Sequence, residues 1–300
     1  MAGPLKGYRV LDMSRILAGP WAGQLLADLG ADVVKIERPG CGDDTRHWGP
    51  PYLKDQDGNE TEDAAYFFCA NRGKKSVTID ITRSEGQDII RQLALQSDVL
   101  IENYKVGGLA KYGLDYSALK KINPKLIYCS ITGFGQTGPY ANRPGYDFLI
   151  QGMGGLMSIT GEPDSPDNKT AGPVKVGVAV TDLFTGLYAA NAIQGALLER
   201  HQSGVGQYID LALLDVQAAV LANQASNYLI GNLVPERLGN AHPNIVPYQA
   251  FATADSHIII AVGNDQQFAR FCKVIESPLM AEDPLYASNA NRVNNRQVLC

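Results

Sequence analysis

YRVLDMSRILAGPWAGQLLADLGADVVKIE, residues 8–37, places two apolar runs on either side of a helix-like one. YRVLDMS (8–14) is apolar and partly β-branched, and reads as a buried strand. WAGQLLADLG (21–30) reads as a helix stopped by Gly30. ADVVKIE (31–37) is strand-like again. Short connections join the three into a βαβ unit, which requires a parallel sheet and a right-handed crossover. The alternation continues through SVTIDIT (76–82), SEGQDIIRQLALQS (84–97), DVLIENY (98–104), a two-piece helix over 108–123 and KLIYCSITGFG (125–135). This pattern predicts a doubly wound, Rossmann-like α/β domain.

Further on, VKVGVAVTDLFTGLYAA (174–190) reads as a strand-like run, one acid, Asp182, and a long helix that Gly204 stops. GQYIDLALLD (206–215) reads as a strand leading into the helix VQAAVLANQASNYLIG. After residue 230 the texture changes. YQAFATADSHIIIAVG (248–263) reads as an antiparallel hairpin, and DQQFARFCKVI (265–275) as a helix. The expected organisation is a large domain over 1–230 and the start of a smaller α+β domain over 231–300. NRVNNRQVLC (291–300) has no capping Gly, so the chain is expected to end inside an element.

The 300 residues carry a net charge of −5, which argues against bulk nucleic-acid binding. Five cysteines form no CxxC pair and favour a reducing, cytoplasmic setting. No apolar run approaches the ~18 residues of a membrane span. MAGPLKGYRVLD has no signal-peptide core.

The loop after the first strand lacks GxGxxG, and GxxxxGK[ST] is absent, which disfavours NAD and ATP folds. Basic and polar groups nevertheless gather around strand ends: Arg15, Arg38, Asn71, Arg72, Lys74, Lys75, Asn103, Tyr104 and Lys105. Ligands of open α/β sheets bind outside the carboxyl ends of strands. Two readings stay open: an ordinary solvated surface, or a site for a multiply phosphorylated ligand. The four histidines are too scattered for a metal site. There is no GxSxG, and Cys69 reads as a small core residue. Asp182 reads first as a helix N-cap contributing roughly 1 kcal/mol, a task Thr181 shares. It reads second as a nucleophile, because a helix N-terminus lowers an acid's pKa and a carboxylate attacks only when ionised.

The segments LKGYRVLDMSRILAGPWAGQLLADLGADVVKIERPGCGDDTR, NRGKKSVTIDI, DVLIENYKVGGLAKYGLDY, NPKLIYCSITGFGQTGPY, RPGYDFLIQGMGGLMSITG and SGVGQYIDLALLD, with VAVTDLFTG between them, resemble the class III CoA-transferases in order and over almost the whole chain. The resemblance implies a Rossmann-like large domain, a smaller domain and a homodimer of interlocked rings. It implies that Asp182 attacks an acyl-CoA thioester, passing through a mixed anhydride and an aspartyl-CoA thioester, with CoA delivered to an acceptor acid and with no resident cofactor or metal. The CoA-binding positions it implies are Arg38, Arg72, Asn103, Tyr104 and Lys111. Leu17 stands where some members carry Gln, and GNAHPNIVPY (239–248) replaces a glycine-rich loop. The WGPPY and AHPN segments are similar to members that pair succinyl-CoA with dicarboxylates. Arg46 and His242 are candidates for holding the acceptor. One alternative is an α-methylacyl-CoA racemase-type isomerase, although Tyr146 then stands where its base, a His, is needed. Another is an inactive, truncated CoA-binding relative. Members of the family run past residue 300, so the chain alone is expected to expose apolar surface and be poorly stable.

Overall fold

The computed structural model describes residues 3–164 and 172–300, in two compact units. The first takes in Met1–Gly154 and Gly177–Val220. Its elements run β1 (Arg9–Asp12), α1 (Ala18–Asp28), β2 (Asp32–Glu37), β3 (Tyr52–Lys54), β4 (Glu60–Ala64), α2 (Ala65–Phe68), β5 (Lys74–Thr78) and α3 (Ser84–Leu95). They continue β6 (Val99–Glu102), α4 (Tyr116–Ile122), β7 (Ile127–Thr132), α5 (Asp147–Met153), α6 (Val180–Ser203), β8 (Tyr208–Ala212) and α7 (Leu213–Val220).

Six strands form one sheet in the order β5-β2-β1-β6-β7-β8, all parallel. A sheet buried on both faces needs apolar residues at consecutive positions, and these strands supply them. Val10, Val33, Ile101 and Cys129 meet Ala22 and Leu26 of α1 and Ala189 and Ile193 of α6. Leu11, Ile36, Leu100 and Tyr128 meet Ile90 and Ala94 of α3 and Leu119 of α4 on the other face. Each such aliphatic side chain contributes about 1.5–3 kcal/mol by burial. The close approach of α6 to α1 depends on Gly186, where a Cβ would lie 2.8 Å from the Ala18 carbonyl oxygen and the Trp21 ring.

Strand order reverses direction between β1 and β6, since the chain winds outward to β5 on one side and to β8 on the other. Such a switch point opens a crevice at the carboxyl ends of the central strands.

The second unit takes in Gly155–Val176 and Leu221–Cys300. Its elements are α8 (Ala222–Gly231), the antiparallel hairpin β9 (Tyr248–Ala252) and β10 (His257–Ala261), α9 (Asp265–Val274), α10 (Asn289–Asn294) and α11 (Arg296–Leu299). Phe268 and Cys272 of α9 bury against Val262. Arg292 is wholly buried and donates to the Val246 and Tyr286 carbonyls and to Asp265, each at 2.8 Å.

Several expectations change. The run over 174–179 forms no strand. An antiparallel β3–β4 hairpin stands where the sequence pattern predicts no strand. The helix expected over 216–231 breaks at Ala222, whose φ is 47°. The second unit therefore begins at Leu221 and includes 155–176, whereas the sequence boundary lies at 230. No composition change marks residue 221, because apolar residues continue across it. Cys69 is exposed rather than part of the core.

Candidate active site

The crevice begins where β1 ends. Asp12 accepts from the Ser14 amide at 3.0 Å, turning the chain. Burial alone would raise the Asp12 carboxyl, but Lys74 and Lys35 hold it below its ordinary range. The Lys74 ammonium lies 2.8 Å from it. Asn103, just beyond β6, grips Arg15 by both backbone groups. Its Oδ1 accepts from the Arg15 amide at 2.9 Å, and its Nδ2 donates to the Arg15 carbonyl at 2.7 Å. Ile16 follows with a φ of 69°, a left-handed conformation that costs a β-branched residue about 1–2 kcal/mol.

Asp182 faces this loop. Helix α6 begins at Val180, so Asp182 is in the first turn and is not the cap. The cap is remote. Asp147, the first residue of α5, accepts from the Thr181 amide at 2.8 Å and the Asp182 amide at 3.4 Å. Among the described residues none donates to the Asp182 carboxylate. The carboxylate lines a cavity of about 290 Å³ together with Arg15, Leu17, Asn103, Tyr104, Lys105 and Tyr146. The expectation of a depressed pKa is overturned. A first-turn position favours an anion, but burial, and then the charge of Asp147, push Asp182 up to about 7. Glu102, at the end of β6, is likewise pushed up to about 7 by burial, although it accepts from the Tyr104 amide at 2.8 Å.

A second cavity of about 340 Å³ shares Arg15, Tyr104 and Lys105 with the first, and brings in Arg38, Lys111 and Tyr112. Arg38 is exposed, with its Nε 2.7 Å from the Cys41 sulfur. The expected residues Arg38, Tyr104 and Lys111 thus converge on one cavity, and Asn103 and Tyr104 join Asp182 in the other. Asn103 spends its amide on the loop. Arg72 is not with them. It precedes β5, at the amino end of the parallel sheet, and its Nε donates to Asp28 at 2.9 Å. Arg46 is already engaged by Glu37 at 2.7 and 2.8 Å and by Asp63 at 2.6 Å, over the Phe67 ring. His242 belongs to the second unit. Among the described residues no His, Cys, Asp and Glu cluster fits a metal ion.

Three contributors escaped the sequence reading. Asp147 carries no sequence signal of its contact with the start of α6, which lies 34 residues on. Lys35, a charge inside an apolar strand, is a signal the sequence does carry, and Asp43 carries none.

The pattern of CoA-transferase family III matches residues 5–300. The chain is 57% identical over 300 residues to the succinate–glutarate CoA-transferase of Agrobacterium fabrum, covering 99% of itself and 73% of that relative. It is 49% identical over 296 residues to the mouse succinyl-CoA:glutarate CoA-transferase, covering 99% of itself and 65% of that enzyme, just under two thirds. Among solved structures, a CAIB/BAIF family protein from Brucella suis superposes with a TM-score of 0.83 at 55% identity, over 100% of this chain and 76% of that one. A Mycobacterium tuberculosis hypothetical protein gives 0.83 at 34% identity, over 99% and 76%.

Proposed function

The chain belongs to CoA-transferase family III, and from that premise we propose that it carries CoA from succinyl-CoA to a dicarboxylic acceptor such as glutarate, with Asp182 as the nucleophile. The observation that carries the proposal is a carboxylate with no donor among the described residues, in the wall of a cavity that adjoins a cation-lined one. Asp182 attacks the thioester carbonyl. The C–S bond breaks, leaving a succinyl–aspartyl anhydride and CoA thiolate. The thiolate then attacks the aspartyl carbonyl, which releases succinate and gives an aspartyl-CoA thioester. Glutarate attacks the same carbon, expelling thiolate and forming a second anhydride. Thiolate attack on the glutaryl carbonyl yields glutaryl-CoA and restores the carboxylate. Each step exchanges one activated acyl for another, so the energy of the thioester is conserved.

Arg38, Lys111 and Tyr104 receive the nucleotide end of CoA, where guanidinium and ammonium groups suit phosphates. Helix α1 starts at the wall of the Asp182 cavity without a side-chain cap, so its first N–H groups are available to an oxyanion. Arg15 has a buried Nε with no partner among the described residues. That group suits the far carboxylate of a diacid. The similar relatives named for succinyl-CoA and glutarate support this choice of substrates.

The proposal includes a homodimer of interlocked chains in the cytoplasm. Exposed Leu229, Ile230, Leu233 and Val234 supply apolar surface for association. The five cysteines are free, and no described helix is long and apolar enough to cross a membrane.

The test is to trap the enzyme with succinyl-CoA and borohydride and to map the adduct. The label is expected on the peptide containing Asp182, and Asp182→Asn is expected to lower kcat by about 10⁴-fold or more. A label on another peptide would refute the assignment.

A further inference from the structure

We propose that Asp43, paired with Lys35, is a positioning residue for the transfer, holding Ile16 in its left-handed conformation so that the 15–18 segment walls the Asp182 cavity. This rests on the function proposed above. The Ile16 amide lies 3.3 Å from both oxygens of the Asp43 carboxylate. That carboxylate is buried, and the Lys35 ammonium is 2.8 Å from its Oδ2. The same ammonium donates to the Ser14 carbonyl at 2.9 Å. Thr45 fixes the other oxygen, its amide at 3.0 Å and its hydroxyl at 2.8 Å from Asp43 Oδ1. Glu37 accepts from the Asp43 amide at 2.7 Å. Asp43 is therefore held on three sides before it reaches the loop.

Ile16 is the wrong residue for this backbone. Side chains branched at Cβ rarely adopt a positive φ, and they persist there only when the surroundings over-determine it. Here Asp12 and Lys35 hold Ser14, Asn103 holds Arg15, and Asp43 holds Ile16. Without Asp43, Ile16 loses the one side-chain anchor of its amide among the described residues, and the segment is free to relax. Ile16, Leu17 and Ala18 all line the cavity that holds Asp182. Relaxation therefore displaces the surface against which the thioester is aligned; Arg15 and Asp43 also line the second cavity, but Arg38, Tyr104 and Lys111, assigned to the nucleotide, lie outside the segment. A buried ion pair is weak as a source of stability but suited to fixing one conformation.

The experiment compares Asp43→Ala in two backgrounds, the natural sequence and Ile16→Gly, because glycine adopts a positive φ without strain. In the natural background kcat is expected to fall by about 100-fold, the scale of an ångström-sized misplacement. KM for succinyl-CoA should rise by much less than kcat falls, because Arg38 and Lys111 lie outside the segment. Hydrogen exchange of the peptide spanning residues 13–18 should accelerate. In the Ile16→Gly background the same substitution should cost less than about tenfold in kcat. Equal losses in both backgrounds, a raised KM with unchanged kcat, or unchanged exchange would each overturn the proposal. Asp43→Leu keeps the side chain's shape, offers no acceptor to the Ile16 amide, and is read the same way if Asp43→Ala does not fold. If the natural protein transfers no CoA, the functional reading fails by itself, and the exchange comparison still decides whether Asp43 holds Ile16.

Discussion

As the proposed nucleophile, Asp182 needs its charge to attack, yet burial and Asp147 push its pKa up to about 7. The proposed activity should therefore fall by about tenfold per pH unit below 7, in kcat/KM measured across a pH series. Asp147→Asn removes the neighbouring charge and keeps an acceptor for the helix amides. It should move that limb to lower pH without abolishing it, because burial is the larger cause and remains. Stability has the opposite slope. Asp182 and Glu102 both have folded values raised to about 7. The protons they retain stabilise the fold fully below the unfolded carboxyl values near 4, and that contribution is lost as pH rises through 7. Asp182→Asn should accordingly raise the melting temperature at pH 8 and change it little at pH 4. Arg15→Met should raise KM for glutarate more than KM for a monocarboxylate acceptor of equal length. The position of Asp182 was legible from the onset of an apolar helix behind a polar residue. Its protonation state was not, because that depends on α5, which lies far away in sequence and is brought alongside only by folding.

At the scale of elements, α6 illustrates a cap supplied from a distance. Its own N-cap position, Ala179, offers no side chain for the task. Asp147→Ala should cost about 1 kcal/mol in chemical denaturation, the usual worth of a cap, whereas Asp147→Asn should cost less. Gly186→Val would press branched carbons into Ala18 and Trp21, and overpacking of this kind costs about 1–3 kcal/mol. The βαβ opening was readable because Val10, Val33 and their neighbours are consecutive and apolar, as a strand covered on both faces demands. The β3–β4 hairpin was not, since Lys54, Glu60 and Glu62 face water and show no apolar alternation. The Asp57-Gly58 pair between the strands is the signal that could have found it. The run over 174–179 looked like a strand because Val174, Val176 and Val178 alternate. That period says nothing about whether a partner strand is within reach, and among the described residues the run pairs with none.

For the whole molecule, the parallel order with a reversal between β1 and β6 decides where a ligand can bind. Alternation alone implies that the carboxyl ends of β1, β2 and β6 lie on one edge; the place of the reversal comes from the strand order. It is why Arg38, Asn103 and Tyr104 converge while Arg72, on the opposite end of the sheet, does not. The proposed interlocked dimer carries its own expectation: dilution should not separate the chains, and dissociation measured by sedimentation should coincide with unfolding. Separation into folded monomers would refute interlocking.

The shared wall of the two cavities, built by Arg15, Tyr104 and Lys105, has a consequence for the fate of the leaving group. In the proposed transfer, a nucleotide anchored on one side of that wall would keep its own sulfur leashed within a short arc of the acyl carbons on the other, and the departing thiolate would return at an effective molarity far above any concentration in solution. Isotopically labelled free coenzyme supplied during turnover should consequently stay out of the product thioester.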